Sequence, residues 1–184
     1  ARLKSGGLDS AFWVIYSPQG PLERNAYATS LKNAKRRLDQ LNQMVSENPS
    51  KFVLVKSSGQ LKSMKDDQRH VVLISIENAY PLGEEIDNLD YFYNAGVRML
   101  GIVHFSNNQF ADSSTDPLGE KWGGLSPRGV ALIKKANSLG MILDASHASD
   151  KATEQMIKLS KTPIILSHSG LKAVFDHPRN IDDD

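Results

Sequence analysis

Apolar positions along this chain follow two alternating rhythms. Between Arg24 and Glu47, the residues Tyr27, Leu31, Ala34, Leu38, Leu41 and Val45 recur at steps of three and four, which places them on one face of a long helix. The opposite face is rich in Lys and Arg and reads as the solvated outside of a helix covering a sheet. Fewer than four heptads are present, so a coiled coil is not indicated. The second rhythm is a set of short, unbroken apolar runs. Phe12-Trp13-Val14-Ile15-Tyr16 is aromatic and β-branched and stops at Ser17-Pro18-Gln19-Gly20, predicting a buried strand that ends in a loop. The run from His70 to Ile76 suits a strand buried on both faces of a parallel sheet. Phe52 to Val55 predicts a short strand and Gln60 to Asp67 a short helix.

The alternation continues towards the C-terminus. Helices are predicted near Glu84 to Asn94, Pro127 to Leu139 and Asp150 to Leu159, and strands at Val97 to Val103, Met141 to Ala145 and Pro163 to Leu166. Gly96 and Gly140 stand where helices should end. Strands alternating with helices predict βαβ crossovers and an α/β fold. Both a doubly wound sheet and a (β/α)8 TIM-like barrel have this pattern. No Gly-rich phosphate loop follows the first strand, and several strands end in an ionisable residue, which favours the barrel. A barrel needs ~250 residues, so the expectation is a single domain over residues 1–184, the central portion of a barrel without its first-strand and last-strand segments.

Composition narrows the chemistry. Lys and Arg number 22 against 21 Asp and Glu, so no bulk positive field favours nucleic acid or an anionic membrane, and a small molecule is the expected partner. The absence of cysteine removes thiolate ligands, cysteine nucleophiles and disulfides. Any metal must be held by His and carboxylate. No apolar stretch approaches the ~18 residues of a membrane span.

Four strands are followed by an ionisable residue: Glu77, His104, His147 and His168. In a barrel such strand ends converge on one pocket, so residues 27, 43 and 21 positions apart can share an ion. Imidazole and carboxylate suit zinc. The repeated Ser-His pairs at 146–147 and 167–168 single out those two His residues, whereas a lone His at a strand end is ordinarily structural. His70 begins its strand at the opposite end, and His177 lies in a polar stretch; neither is assigned a role. A divalent ion lowers the pKa of bound water to about 7 and polarises a carbonyl, which together permit amide hydrolysis. Arg179 is a candidate cation for a substrate carboxylate.

At these residues the sequence resembles the membrane (renal) dipeptidase family of zinc peptidases, from near residue 5 to the end. The segments that carry the likeness are Gly6-Gly7 through Tyr16, Ile76-Glu77, and Gly96-Val97-Arg98 through His104, Asn108 and Ala111-Asp112-Ser113. Further along come Gly124-Leu125-Ser126-Pro127 to Gly129, Leu139 to His147, Ser167-His168-Ser169 and His177-Pro178-Arg179-Asn180. The resemblance implies that Glu77 bridges two zinc ions and that His147 and His168 complete the second ion's protein ligands. It implies that His104 contacts the dipeptide substrate near the scissile amide, and that Arg179 holds the terminal carboxylate. The reaction is then hydrolysis of dipeptides by metal-activated water. Asp144 is a candidate to orient a ligand from behind. A homodimer, and a periplasmic, secreted or membrane-anchored location, are also implied.

The likeness has gaps. The family draws its other zinc ligands from a His-x-Asp motif, which these 184 residues lack, and its catalytic aspartate lies beyond a segment like the one ending here. Truncation at both ends is the expected reason, and this segment alone is expected to be inactive and unstable. Asn78-Ala79 stands where the family usually has glycines. Two alternatives stay open: a non-catalytic metal-binding or interaction domain with a degenerate site, and hydrolysis of another amide or a cyclic amide.

Overall fold

The computed structural model describes residues 2–182. Among these residues, five strands form one parallel sheet: β1 (Ser10–Tyr16), β2 (Phe52–Leu54), β3 (His70–Glu77), β4 (Val97–Gly101) and β5 (Ile142–Asp144). Among the described residues, six α-helices alternate with them: α1 (Arg2–Ser5), α2 (Arg24–Glu47), α3 (Ser58–Ser63), α4 (Asn88–Ala95), α5 (Pro127–Leu139) and α6 (Asp150–Leu159). The order is β1-β3-β4-β5. β1 pairs with β3 along its whole length, so its other edge is shared: β2 takes His70–Val72 and β4 takes Ile74–Ile76. Ile165 extends the sheet by a single parallel bridge to Asp144. The result is an open arc of parallel β/α units.

The period of two along β3 sorts its side chains. Val72, Ile74 and Ile76 are buried against the helices, while Leu73, Ser75 and Glu77 face the other side. The stripe on α2 behaves as its spacing predicts: Tyr27, Ala34, Leu38 and Val45 are buried, and Leu31 and Leu41 pack at the margin. Each fully buried Leu or Ile of this core contributes about 1.5–3 kcal/mol.

Helix ends follow local chemistry. Ser126 and Ser149 cap α5 and α6 by accepting from the N–H groups of Gly129 and Ala152, satisfying donors that have no partner within the helix. Gly96 and Gly140 end α4 and α5 in left-handed backbone, as expected for these residues. The predicted bounds of α2, α5 and α6 match the structure.

Elsewhere the expectations are corrected. The helix expected from Glu84 starts only at Asn88, because Tyr80–Leu82 forms a 3-10 turn and Gly83 breaks the backbone. The helix expected over Gln60 to Asp67 is Ser58–Ser63. β4 stops at Gly101 although Ile102 and Val103 are buried, since apolar character marks burial and not pairing. The strand expected at Pro163 to Leu166 is reduced to the Ile165 bridge. Among the described residues, no helix is long and apolar enough to cross a membrane.

Candidate metal centre

The four ionisable residues predicted from strand ends meet at the C-terminal edge of the arc. Glu77 Oε1 lies 3.3 Å from His147 Nε2, 3.2 Å from His168 Nε2 and 3.5 Å from His104 Nε2. The Nε2 atoms of His147 and His168 are 2.9 Å apart. Glu77, His147 and His168 therefore present three ligand-type atoms to one point. His104 packs beside them, its ring centroid 4.0 Å from that of His147, between Tyr16 and Phe105.

Backbone turns aim these side chains. Asn78, directly after Glu77, is left-handed at φ 70°, and His147 is left-handed at φ 73°, a region that non-glycine residues rarely adopt. Asn78 is held by its own side chain. It donates to the carbonyl of Ser17 and to Gln19 Oε1, and accepts from Tyr80 N and Asn108 Nδ2. His147 follows a turn in which Asp144 Oδ1 accepts from Ser146 N, and its carbonyl accepts from Ser114 N at 2.9 Å.

The loop after β4 is anchored by buried Asp112, whose carboxylate accepts from the N–H groups of Lys121, Trp122 and Gly124. From that loop Ser113 donates to the His104 carbonyl at 2.6 Å.

Burial controls the protonation of His104 and His147, and a hydrogen bond that of Glu77. Desolvation, followed by the charge on His147, pushes His104 down to about 4. His147 is also lowered by burial, against the opposing hydrogen bond to Glu77. Glu77 is held below the usual carboxylate range chiefly by that hydrogen bond, which outweighs its own burial. At neutral pH the cluster thus offers one carboxylate and two neutral imidazoles at His104 and His147, the forms that ligate metals.

Arg179 reaches this side of the arc. Its Nη2 donates to the His168 carbonyl at 3.1 Å, and its buried Nη1 has no hydrogen-bond partner among the described residues. It lines, with Ala145, His147, Thr153 and Leu166, a groove of about 760 Å³. Burial lowers its pKa, while Glu77 and Asp144 oppose that effect.

The whole chain, residues 1–184, matches the family model described as membrane dipeptidase, peptidase family M19. This chain belongs to the membrane dipeptidase family. It is 30% identical over 189 residues to dipeptidase verJ of Clonostachys rogersoniana, covering 100% of this chain and 48% of that protein. Dipeptidase 3 of Mus musculus is 30% identical over 186 residues, with coverage of 100% and 36%. The solved structure of the probable dipeptidase PvdM from Pseudomonas aeruginosa superposes with a TM-score of 0.89 at 32% identity, over 98% of this chain and 48% of that one. The chain thus spans about half, or less, of the length of these relatives.

Other residues lie where the sequence placed them or supply what it did not reveal. His70 sits at the far end of the sheet: its Nδ1 is 2.9 Å from the Leu8 carbonyl and its Nε2 accepts from Trp13. His177 does not enter the cluster; its Nδ1 accepts from Arg179 N. Asp144 stands behind His168 and reaches it through Ser167. The sequence does not reveal the supporting bonds of Ser113, Ser167 and Asn78. The Ser-His pairs were a visible signal, but a serine's partner depends on fold geometry that no spacing encodes.

Proposed function

We propose that the full-length protein carrying this chain is a zinc-dependent dipeptidase, with Glu77, His147 and His168 as metal ligands. The carrying observation is the size of their triangle. Donors bound about 2.0–2.2 Å from one zinc stand about 2.8–3.6 Å from one another for ligand angles between about 90° and 110°, and the three separations here are 2.9, 3.2 and 3.3 Å. The donor set of two imidazoles and a carboxylate fits zinc in an open, catalytic type of site. When bound, the metal supplies a Lewis acid for an amide carbonyl and acidifies the attacking water.

The chain's own residues divide the remaining work. Glu77 stays ionised at neutral pH, and its second oxygen can serve another ion, so two zinc ions are proposed for the full-length protein. His104 stays neutral because burial disfavours its charged form; it keeps one donor and one acceptor nitrogen to hydrogen-bond the substrate beside the scissile amide. Arg179 offers Nη1 to the terminal carboxylate of a dipeptide, a charge-assisted contact that fixes the peptide's direction. The names of verJ, a dipeptidase, and of PvdM, a probable dipeptidase, support this substrate class.

The test is hydrolysis by the full-length protein, assayed on dipeptides before chelation, after chelation and after zinc is restored. The expected result is cleavage that chelation abolishes and zinc restores. Zinc binding without cleavage would replace this reading with a non-catalytic metal domain. If dipeptides are left intact while a cyclic amide added to the same assay is cleaved, the reading becomes hydrolysis of another amide.

A further inference from the structure

The two imidazoles of the candidate centre are supported differently. His147 Nδ1 is buried with no hydrogen-bond partner among the described residues. His168 Nδ1 instead lies 2.8 Å from Ser167 Oγ, and Ser167 Oγ donates to Asp144 Oδ2. Asp144 is buried at the end of β5, and its other oxygen accepts from the N–H groups of Ser146 and Ser167 at 3.0 and 3.1 Å. The backbone of His168 is fixed as well, since its N–H donates to Ser146 Oγ at 3.1 Å.

Proton counting sets the direction of this chain. An ionised carboxylate only accepts, and a hydroxyl has one proton to give. Ser167 gives its proton to Asp144, so towards His168 its oxygen can only accept. The proton shared with His168 must then belong to Nδ1. In a neutral imidazole the other nitrogen is left with a free lone pair, and that nitrogen, Nε2, is the one 3.2 Å from Glu77 Oε1.

Resting on the metal-site reading above, we propose that Ser167 is a positioning residue: it relays the Asp144 carboxylate to His168 and fixes Nε2 as the ligating nitrogen. Carboxylates commonly contact a ligating imidazole directly. Here a hydroxyl stands between them, because Asp144 is already engaged by two backbone N–H groups and lies one strand away. The relay also explains why a serine directly precedes His168, a feature that ligand spacing does not require.

The test compares zinc affinity, by chelator competition, in the full-length protein and in Ser167→Ala, Ser167→Thr and Ser167→Val. Thermal melting of the metal-free forms controls for folding. Thr and Val have nearly the same shape and differ in the hydroxyl. Loss of a partner behind a metal ligand costs about 10- to 100-fold in affinity. The expectation is that Ala and Val weaken zinc binding by about that factor, and that Thr restores it. Equal affinity in all four proteins would overturn the relay while leaving the metal site intact. A Thr variant as weak as Val would also overturn it, since side-chain bulk would then be responsible. Absence of zinc binding in the unmodified protein would remove the metal-site reading itself, and the relay with it.

Discussion

Asn108 Nδ2 donates to Asn78 Oδ1 at 2.9 Å, inside a fully buried pair joining the end of β3 to the loop after β4. Asn78 is left-handed, a region that glycine enters freely and that asparagine tolerates better than most other residues. Asn78→Gly keeps the backbone and loses the side-chain hydrogen bonds, so a loss of about 1–3 kcal/mol is expected. Asn78→Ala adds backbone strain of about 1 kcal/mol. Urea unfolding of the full-length protein should rank the original first, Gly second and Ala third.

Gly129 forbids a side chain for a different reason. A Cβ placed there would meet the Phe110 carbonyl oxygen at 2.0 Å, a backbone atom that also accepts from Ser126 N. Gly129→Ala should destabilise by about 1–3 kcal/mol through overpacking, despite the better helix propensity of alanine. Thermal melting of the full-length protein checks this. An unchanged or raised midpoint would show that the loop yields.

Much of this was legible in the sequence, for identifiable reasons. α2, α5 and α6 were readable because their stripes and caps are local, and β3 because a doubly buried strand is almost uninterrupted in apolar residues. Glu77, His104, His147 and His168 were readable because strand ends converge in a β/α fold. The bonds of Ser167 to Asp144, of Ser113 to the His104 carbonyl and of Asn78 to Asn108 span 23, 9 and 30 positions. Common polar residues carry no mark of such partners. The apolar run at Pro163 to Leu166 predicts a full strand, yet only Ile165 bridges to Asp144 and it stays 36% exposed, because an apolar run at the edge of a sheet fixes neither the length of pairing nor the burial.

Acid should destabilise the metal-free protein through His104. Its folded pKa, about 4, lies below the unfolded value of 6.5, so the folded state binds fewer protons between them. Stability is therefore fully present above about pH 6.5 and is lost as pH falls through 4. His147, also lowered, acts in the same direction. Denaturant unfolding of the metal-free full-length protein, repeated from pH 7 to pH 4, should show a slope that His104→Gln reduces.

Phe175, Val174 and Ile157 are 66%, 82% and 57% exposed, on the side of the arc beyond β5. A group of exposed apolar side chains beside an open sheet promotes association. Residues 1–184 produced alone should self-associate, as sedimentation would show. A monomeric, cooperatively melting product would contradict this expectation.

Arg179→Met should raise KM for dipeptides roughly 10- to 100-fold, the worth of a hydrogen bond to a charged group. A dipeptide amide, which lacks the carboxylate, should be affected far less. Equal effects on both substrates would remove Arg179 from the carboxylate site.

The most direct test of the metal centre is the zinc content of the purified full-length protein compared with Glu77→Gln, which retains shape and removes the charge. The account predicts about two zinc ions per chain in the original and a marked loss in the variant with folding intact. A zinc-free original protein, or a variant that keeps its full zinc content, would contradict the assignment of Glu77, His147 and His168.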